Sequence, residues 1–540
     1  METKAGSKAA RDKAATVEYA ENLLYAEDGT VRKLPIPSND PNDPLNFGPW
    51  RQRLIMIAIC VYGIAGFGVV QSTPLFFGEL VPEYMKQTRG TFNPERISDL
   101  ASYPSLCMGL GNFFFVPLSM ALGRRAAFIL SNAILLSAII WAAKSETFES
   151  HLGARCLQGL TAGVSDCLLP IIILDISFLD RRGARLVTYW TCTAAGSSLL
   201  LVAVPFIIDA SDGNWRINYW FWAAFAAFSL IAVLLLVPET LFNRGVAHHE
   251  GRVHTTDTYG THRMFDTAEE ARAAGFKIDD RDSTASEAPK TFSYRRQFSP
   301  VTIQPSAIKR FLGAYRDIFT CLLVPGTFWA LLLNSVFFGG LVILSITYAQ
   351  RLEMPPWLFP PSVVGTVQVG AAIGALFGLA YGQVTEPVSR FLTRRNRGIR
   401  EPEHVLPNFV FPSVVAGVGL IIYGVVGMEP EKYSWVGIHA SFALFYFGFC
   451  AISAVTGIWL SELLPHTSGP AIVLVCGGRN AISFGYSSSF TSWIAEMGFR
   501  DTHILFAGIL LALGLLSIPL YFVNGHIRKL SHSIPFLMAY

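Results

Sequence analysis

The sequence predicts an all-α integral membrane protein, with twelve transmembrane helices in two pseudo-symmetric six-helix bundles. Three observations carry that prediction: long apolar blocks, a deficit of charge, and a polar segment that divides the blocks evenly. Hydrophobic residues make up 51% of the 540, charged residues only 15%, and mean hydropathy is +0.40. A soluble chain carries charge on about 25% of its residues. The formal charge of +3, from 42 basic and 39 acidic residues, is too balanced to suggest nucleic acid as a partner.

Crossing a bilayer as a helix takes about 20 mainly apolar residues. Twelve blocks meet that need: 54–77, 98–120, 126–144, 152–175, 186–208, 217–237, 321–348, 361–384, 406–427, 435–461, 470–494 and 503–523. They are continuous rather than alternating in polarity, which selects helices over barrel strands. The predicted organisation is a tail at 1–53, a bundle at 54–238, a linker at 239–320, a second bundle at 321–524 and a tail at 525–540.

An even number of spans puts both ends on one side of the membrane. Most of the 42 Lys and Arg lie on the tails and the even-numbered connections, including Arg124-Arg125, Arg181-Arg182-Arg185 and Arg394-Arg395-Arg397. The positive-inside rule makes that side cytoplasmic. The first tail is polar up to the proline-rich stretch from Leu34 to Trp50 and has no signal-peptide core. The linker, rich in Asp, Ser, Thr, Arg and His, is expected to be mostly disordered, with a short surface helix around Ala268–Ala274. The eight cysteines fall in or beside the spans and read as small buried hydrophobes, outside any disulfide framework.

Six spans, a cytoplasmic connection and six more suggest paired repeats around a midplane binding site. Several motifs sharpen this. They are Asp40-Pro-Asn-Asp-Pro-Leu-Asn46 before span one, Pro117-Leu-Ser-Met-Ala-Leu-Gly-Arg-Arg125 after span two, and Arg155-x-x-Gln158-Gly159 in span four. Others are Trp215-Arg-x-Asn-Tyr-Trp-Phe221, Pro238-Glu-Thr-Leu-Phe-Asn-Arg244, Arg394-Arg-Asn-Arg-Gly-Ile-Arg-Glu-Pro-Glu403 and Arg479-Asn480. Together they resemble fungal members of the major facilitator superfamily. The branch they look most like is the twelve-span drug:proton antiporters, in the subgroup related to polyamine and organic-cation carriers. The chain departs from that pattern in three places. No acid precedes Gly123-Arg124-Arg125, although Gly382-Gln-Val-Thr-Glu386 keeps one in the second half. Span five retains only Gly196 and Pro205 of the antiporter signature, and span ten ends Gly457-Ile-Trp-Leu-Ser-Glu462.

Ionisable groups inside spans cost roughly 2.5–3.5 kcal/mol on insertion scales and point to function. Asp166 is read as the proton or cation site. Arg155 lies eleven residues before it, which on an ideal helix returns to within about 20° of the same face. With Gln158 the two would form one polar wall. Gly159-x-x-x-Gly163 beside it would admit a neighbouring helix closely. Arg479, deep in span eleven, needs a partner. The resemblance implies a cavity lined by spans one, four, seven and ten, which nominates Gln71, Asn334 and Tyr446. Arg124, Arg125, Asp175, Glu386, Arg394 and Arg395 are assigned to a cytoplasmic gate, with Asp175 pairing with Arg124, Arg125 or Arg181.

The function expected from this reading is secondary active transport: proton-coupled efflux of a small organic compound, such as a fungal secondary metabolite or toxin, by alternating access. Two alternatives stand beside it, uptake of an organic cation or polyamine and a transporter-like sensor that binds without carrying. No phosphate-binding Gly-x-x-x-x-Gly-Lys-Ser/Thr loop is present, so the drive is a proton gradient rather than ATP. No paired acids or histidine cluster at helix ends suggest a membrane enzyme. Neither cofactor nor metal is expected. The partners are the lipid bilayer and a small organic substrate, and the chain is expected to be a monomer in the cell membrane with both termini cytoplasmic.

Overall fold

The computed structural model describes residues 37–38, 40–242, 247–249, 252–256, 262–265, 297–299, 301, 306–396, 401–464 and 467–531. Among them, eleven helical segments are long and apolar enough to cross a membrane. Spans one to six are Pro49–Gln87, Pro94–Leu122, Arg124–Ala143, Phe148–Asp175, Arg181–Asp209 and Arg216–Leu236. Spans seven to ten are Pro325–Glu353, Pro361–Arg395, Pro402–Met428 and Val436–Leu463, and span twelve is Phe499–Gly525. Span eleven, the helix Ser468–Met497, has the length of a crossing. Its hydropathy is pulled down by Arg479, Asn480 and a run of serines.

The packing of the two halves repeats. Span one lies against five and six, two against four, and three against four and six. Seven lies against eleven and twelve, eight against ten, and nine against ten and twelve. Adding six to each number of the first set gives the second, which is the pseudo-symmetry expected of two related bundles. The halves meet along two seams, spans two with eleven and five with eight. The second seam is closed near both of its ends: Gly365 abuts Pro205 and Gly382 abuts Val187.

Small residues set these approaches. A methyl group on Gly159 would sit 2.2 Å from the Pro104 carbonyl oxygen, and one on Gly163 would sit 2.2 Å from that of Met108. The Gly159-x-x-x-Gly163 pair therefore brings spans four and two into backbone contact, as its spacing predicts.

The linker holds more order than its composition suggested. Strands β1 (Ala247–His249), β2 (Arg252–Thr256) and β3 (His262–Phe265) form an antiparallel sheet in the order β1-β2-β3, with His249 opposite Arg252 and Val253 opposite Phe265. Val and Thr, which favour strands, supply Val253, Thr255 and Thr256 of β2. A backbone-paired hairpin needs no large core, which a reading based only on burial overlooks. The helix Ala307–Thr320 follows, packed on spans two and eleven. The proposed helix at Ala268–Ala274 lies outside the described residues.

Candidate functional site

Between the bundles lies a cavity bounded by spans one, two, five, seven and ten. Its apolar wall includes Phe67, Met108, Trp190, Phe338, Leu341 and Phe449. Two of the residues nominated for it from sequence, Gln71 and Tyr446, line it and meet. The Tyr446 hydroxyl donates to Gln71 Oε1 at 2.8 Å, joining span one to span ten across the bundles.

Asp166 lies outside the cavity lining, at the heart of the seam between the halves. Span four is interrupted there. The helix Phe148–Ala162 gives way to a 3₁₀ turn, Gly163–Ser165, before helix resumes at Leu168. The tighter turn advances each residue by about 120° rather than 100°, which carries Asp166 off the Arg155 face. Its carboxylate crosses to span eleven, accepting from Arg479 Nη2 at 2.8 Å and Asn480 Nδ2 at 2.9 Å. All three residues are buried. The Arg479 guanidinium also lies 5.3 and 5.6 Å from the ring centroids of Phe338 and Phe449, whose side chains form part of the cavity wall. The ion pair and the cavity thus share these two rings as a common partition.

Arg155 and Gln158 are not part of one polar wall with Asp166. Arg155 is fully buried, and its donors go to backbone: Nε to Leu100 O at 3.1 Å, Nη1 to Val69 O at 2.8 Å and Nη2 to Val70 O at 2.6 Å. The reason lies in two prolines. In a regular helix the Val70 and Leu100 carbonyls would accept from residues 74 and 104, and both are proline, without an N–H. In lipid such carbonyls need an internal partner. Arg155 supplies it to both spans one and two, while Gln158 accepts from Arg155 Nη1 at 2.7 Å and donates to Ala138 O at 3.2 Å. Asn334 also turns away from the cavity, donating to Ala330 O at 2.8 Å and Thr456 Oγ1 at 2.9 Å.

The residues assigned to a gate divide. Arg124 pairs with Asp175 at 3.4 Å and donates to Ser119 Oγ at 2.9 Å, all within the first bundle. Arg125 goes instead to the end of span six, donating to the carbonyls of Val233 at 3.2 Å, Leu234 at 2.8 Å and Val237. Leu234 is another carbonyl stripped of its donor, here by Pro238. Glu386 pairs with Arg390 one turn along span eight, while Arg394 and Arg395 close that helix on its exposed side.

A residue that sequence reasoning quoted but left without a role proves central where span three begins. Glu239 Oε1 accepts from the Arg124 amide at 2.9 Å and Oε2 from the Arg125 amide at 3.3 Å. A carboxylate thus caps the N-terminus of span three, where the helix dipole favours it. Gly123 makes room for it. Its φ is +96°, and a methyl group there would come within 2.2 Å of Glu239 Oε2. The Gly-Arg-Arg and Pro-Glu-Thr motifs are two halves of one contact, a signal visible only once span six returns beside span three. Asn480 was likewise quoted within a motif without its link to Asp166. Trp190 and Phe338 carried no signal apart from being aromatic.

The sequence profile of the Major Facilitator Superfamily matches residues 56–472. The chain belongs to that superfamily. Among curated relatives, protein HOL1 of Saccharomyces cerevisiae is 21% identical, over 94% of this chain and 92% of that protein. Efflux pump radE of Floropilus chiversii is 22% identical over 78% of this chain and 71% of its own length. Among solved structures, the proton:xylose symporter XylE superposes with a TM-score of 0.57 at 13% identity, covering 88% of this chain and 97% of that one. The human organic anion transporter MFSD10 gives 0.51 at 15% identity, covering 87% and 100%. The structural likenesses show the major facilitator fold, and membership of the superfamily makes the chain a secondary transporter.

Proposed function

We propose that this major facilitator exports a small organic compound in exchange for protons, with Asp166 as the coupling group. The observation that carries the reading is the buried pair of Asp166 with Arg479 and Asn480, which links the two bundles beside the cavity. Protonation of Asp166 removes the charge that holds Arg479 and loosens one bundle from the other. A proton that alters the balance between two bundle arrangements is what coupling requires. Export is favoured by relatives whose names include an efflux pump. Uptake of an organic cation or polyamine calls for acids in the cavity wall, and none lines it among the described residues.

The test uses purified protein in sealed vesicles loaded with a pH-sensitive dye, challenged with a panel of fungal metabolites under an imposed proton gradient. A metabolite carried in exchange for protons releases a dye signal that Asp166→Asn abolishes while folded protein remains in the membrane. Equal signals from the two proteins remove Asp166 from that role.

A further inference from the structure

The polar side of the cavity wall has a pattern that composition does not reveal. Ser105, Thr193, Ser197 and Ser345 all line it. Each sends its hydroxyl proton back to its own helix: to Ala101 O at 3.4 Å, Tyr189 O at 2.8 Å, Ala194 O at 3.1 Å and Leu341 O at 2.8 Å. A hydroxyl has one proton and two lone pairs, so while these bonds hold the four offer the cavity acceptors. Ser453 adds a buried hydroxyl that meets no hydrogen-bond partner among the described residues. The Gln71 carbonyl is taken by Tyr446, which leaves its amide hydrogens as the donor on that side.

Charge is excluded by the same wall. Among the described residues no Asp, Glu, Lys, Arg or His lines the cavity. Arg479 stands behind Phe338 and Phe449, with its guanidinium toward their rings, so their faces are already engaged by one cation. Asp166 is occupied by Arg479 and Asn480.

We propose that the cavity binds an uncharged aromatic molecule bearing several hydroxyl donors, a polyphenol in chemical class. Its rings would lie against Phe338, Phe449 and Trp190, and its hydroxyl protons would meet the acceptor oxygens of spans two, five and seven. A site in which acceptors outnumber donors discriminates against an analogue without donors, because several of its lone pairs are then left unmet. The proposal rests on the transport reading only in taking this cavity as the substrate site.

The experiment is equilibrium binding to the purified full chain in detergent near neutral pH, by titration calorimetry, with no gradient applied. Three probes of one shape are compared: trans-3,4′,5-trihydroxystilbene, its trimethyl ether, and 4-(aminomethyl)stilbene, which is cationic. The expected result is at least tenfold tighter binding of the trihydroxy compound than of either other probe. In Ser197→Ala and in Thr193→Val, which preserves shape, the preference over the ether should shrink at least threefold. Equal binding of phenol and ether, preference for the cation, or no binding by any probe overturns the assignment. None of those results touches the role of Asp166 in proton exchange, which the dye assay tests separately.

Discussion

Asp166 of span four and Arg479 of span eleven meet at 2.8 Å, with their side chains 0% and 1% exposed. The pair joins the two bundles through a contact closed to solvent on both sides. Removing one partner from a buried pair strands the other charge, at a cost of about 3–5 kcal/mol. Arg479→Gln should therefore lower thermal stability in detergent sharply. The double variant with Asp166→Asn should recover much of the loss, because no unpaired charge then remains. Additive losses in the cycle would mean that the two side chains do not act on each other.

Arg155 predicts a different kind of sensitivity. Lysine keeps the charge, but a single ammonium cannot span carbonyls on two helices as a planar guanidinium does. Arg155→Lys should cost about 1–3 kcal/mol for each carbonyl left unmet. Pro104→Ala restores an amide for Leu100 O, so its combination with Arg155→Lys should lose less than Arg155→Lys does in the wild-type background. Thermal unfolding of the four proteins checks this, and an unchanged Arg155→Lys penalty would contradict the role of the proline.

Gly123→Ala places a methyl group against Glu239 in a backbone region that side chains avoid. It should destabilise the first bundle. Adding Glu239→Ala should relieve the steric part of that cost while leaving the backbone strain. Melting temperatures of the single and double variants distinguish the two contributions.

Among the residues assigned to the gate, the charge swap that should restore function is Arg124→Asp with Asp175→Arg. The alternative pairing of Arg125 with Asp175 is superseded, because Arg125 is committed to span-six carbonyls. Transport in the double variant above that of both singles is the expected result. Rescue by an Arg125 and Asp175 swap instead would reverse the assignment.

Within the linker, deletion of about 25 residues from 268 to 292 should leave transport within roughly twofold, since loop length changes closure entropy slowly. The deletion must spare Gln297 and Phe298. Gln297 O accepts from the Glu239 amide at 2.8 Å, and the Arg125 guanidinium lies 5.1 Å from the Phe298 ring centroid. A deletion that stops transport while folded protein reaches the membrane would make the segment a working part.

The span count and the six-plus-six division were legible because each apolar block is about the length a bilayer demands. Span eleven shows the limit of composition: Arg479 and Asn480 depress its hydropathy, yet their partner in span four accounts for both. That partner was not legible, since it depends on which helices meet across the bundles. The common face drawn for Arg155 and Asp166 assumed an unbroken helix, and the 3₁₀ turn at Gly163–Ser165 invalidated the angle. Pro74, Pro104 and Pro238 were visible in the sequence, but the arginines that satisfy their orphaned carbonyls come from other spans. Local pattern names the deficit, and only the fold names the donor.

The central claim, that the proton on Asp166 governs the contact between bundles, can be tested without knowing the substrate. Spin labels introduced as unnatural amino acids at the exposed positions Ala184 and Arg390, near the start of span five and the end of span eight, report the separation of the halves by electron–electron resonance. The labels are read from about pH 8 to about pH 5, with the proton concentration as the only variable. The account predicts a shift in the wild-type distance distribution as pH falls, and a pH-independent distribution in Asp166→Asn. A wild-type pH response retained in Asp166→Asn would contradict it.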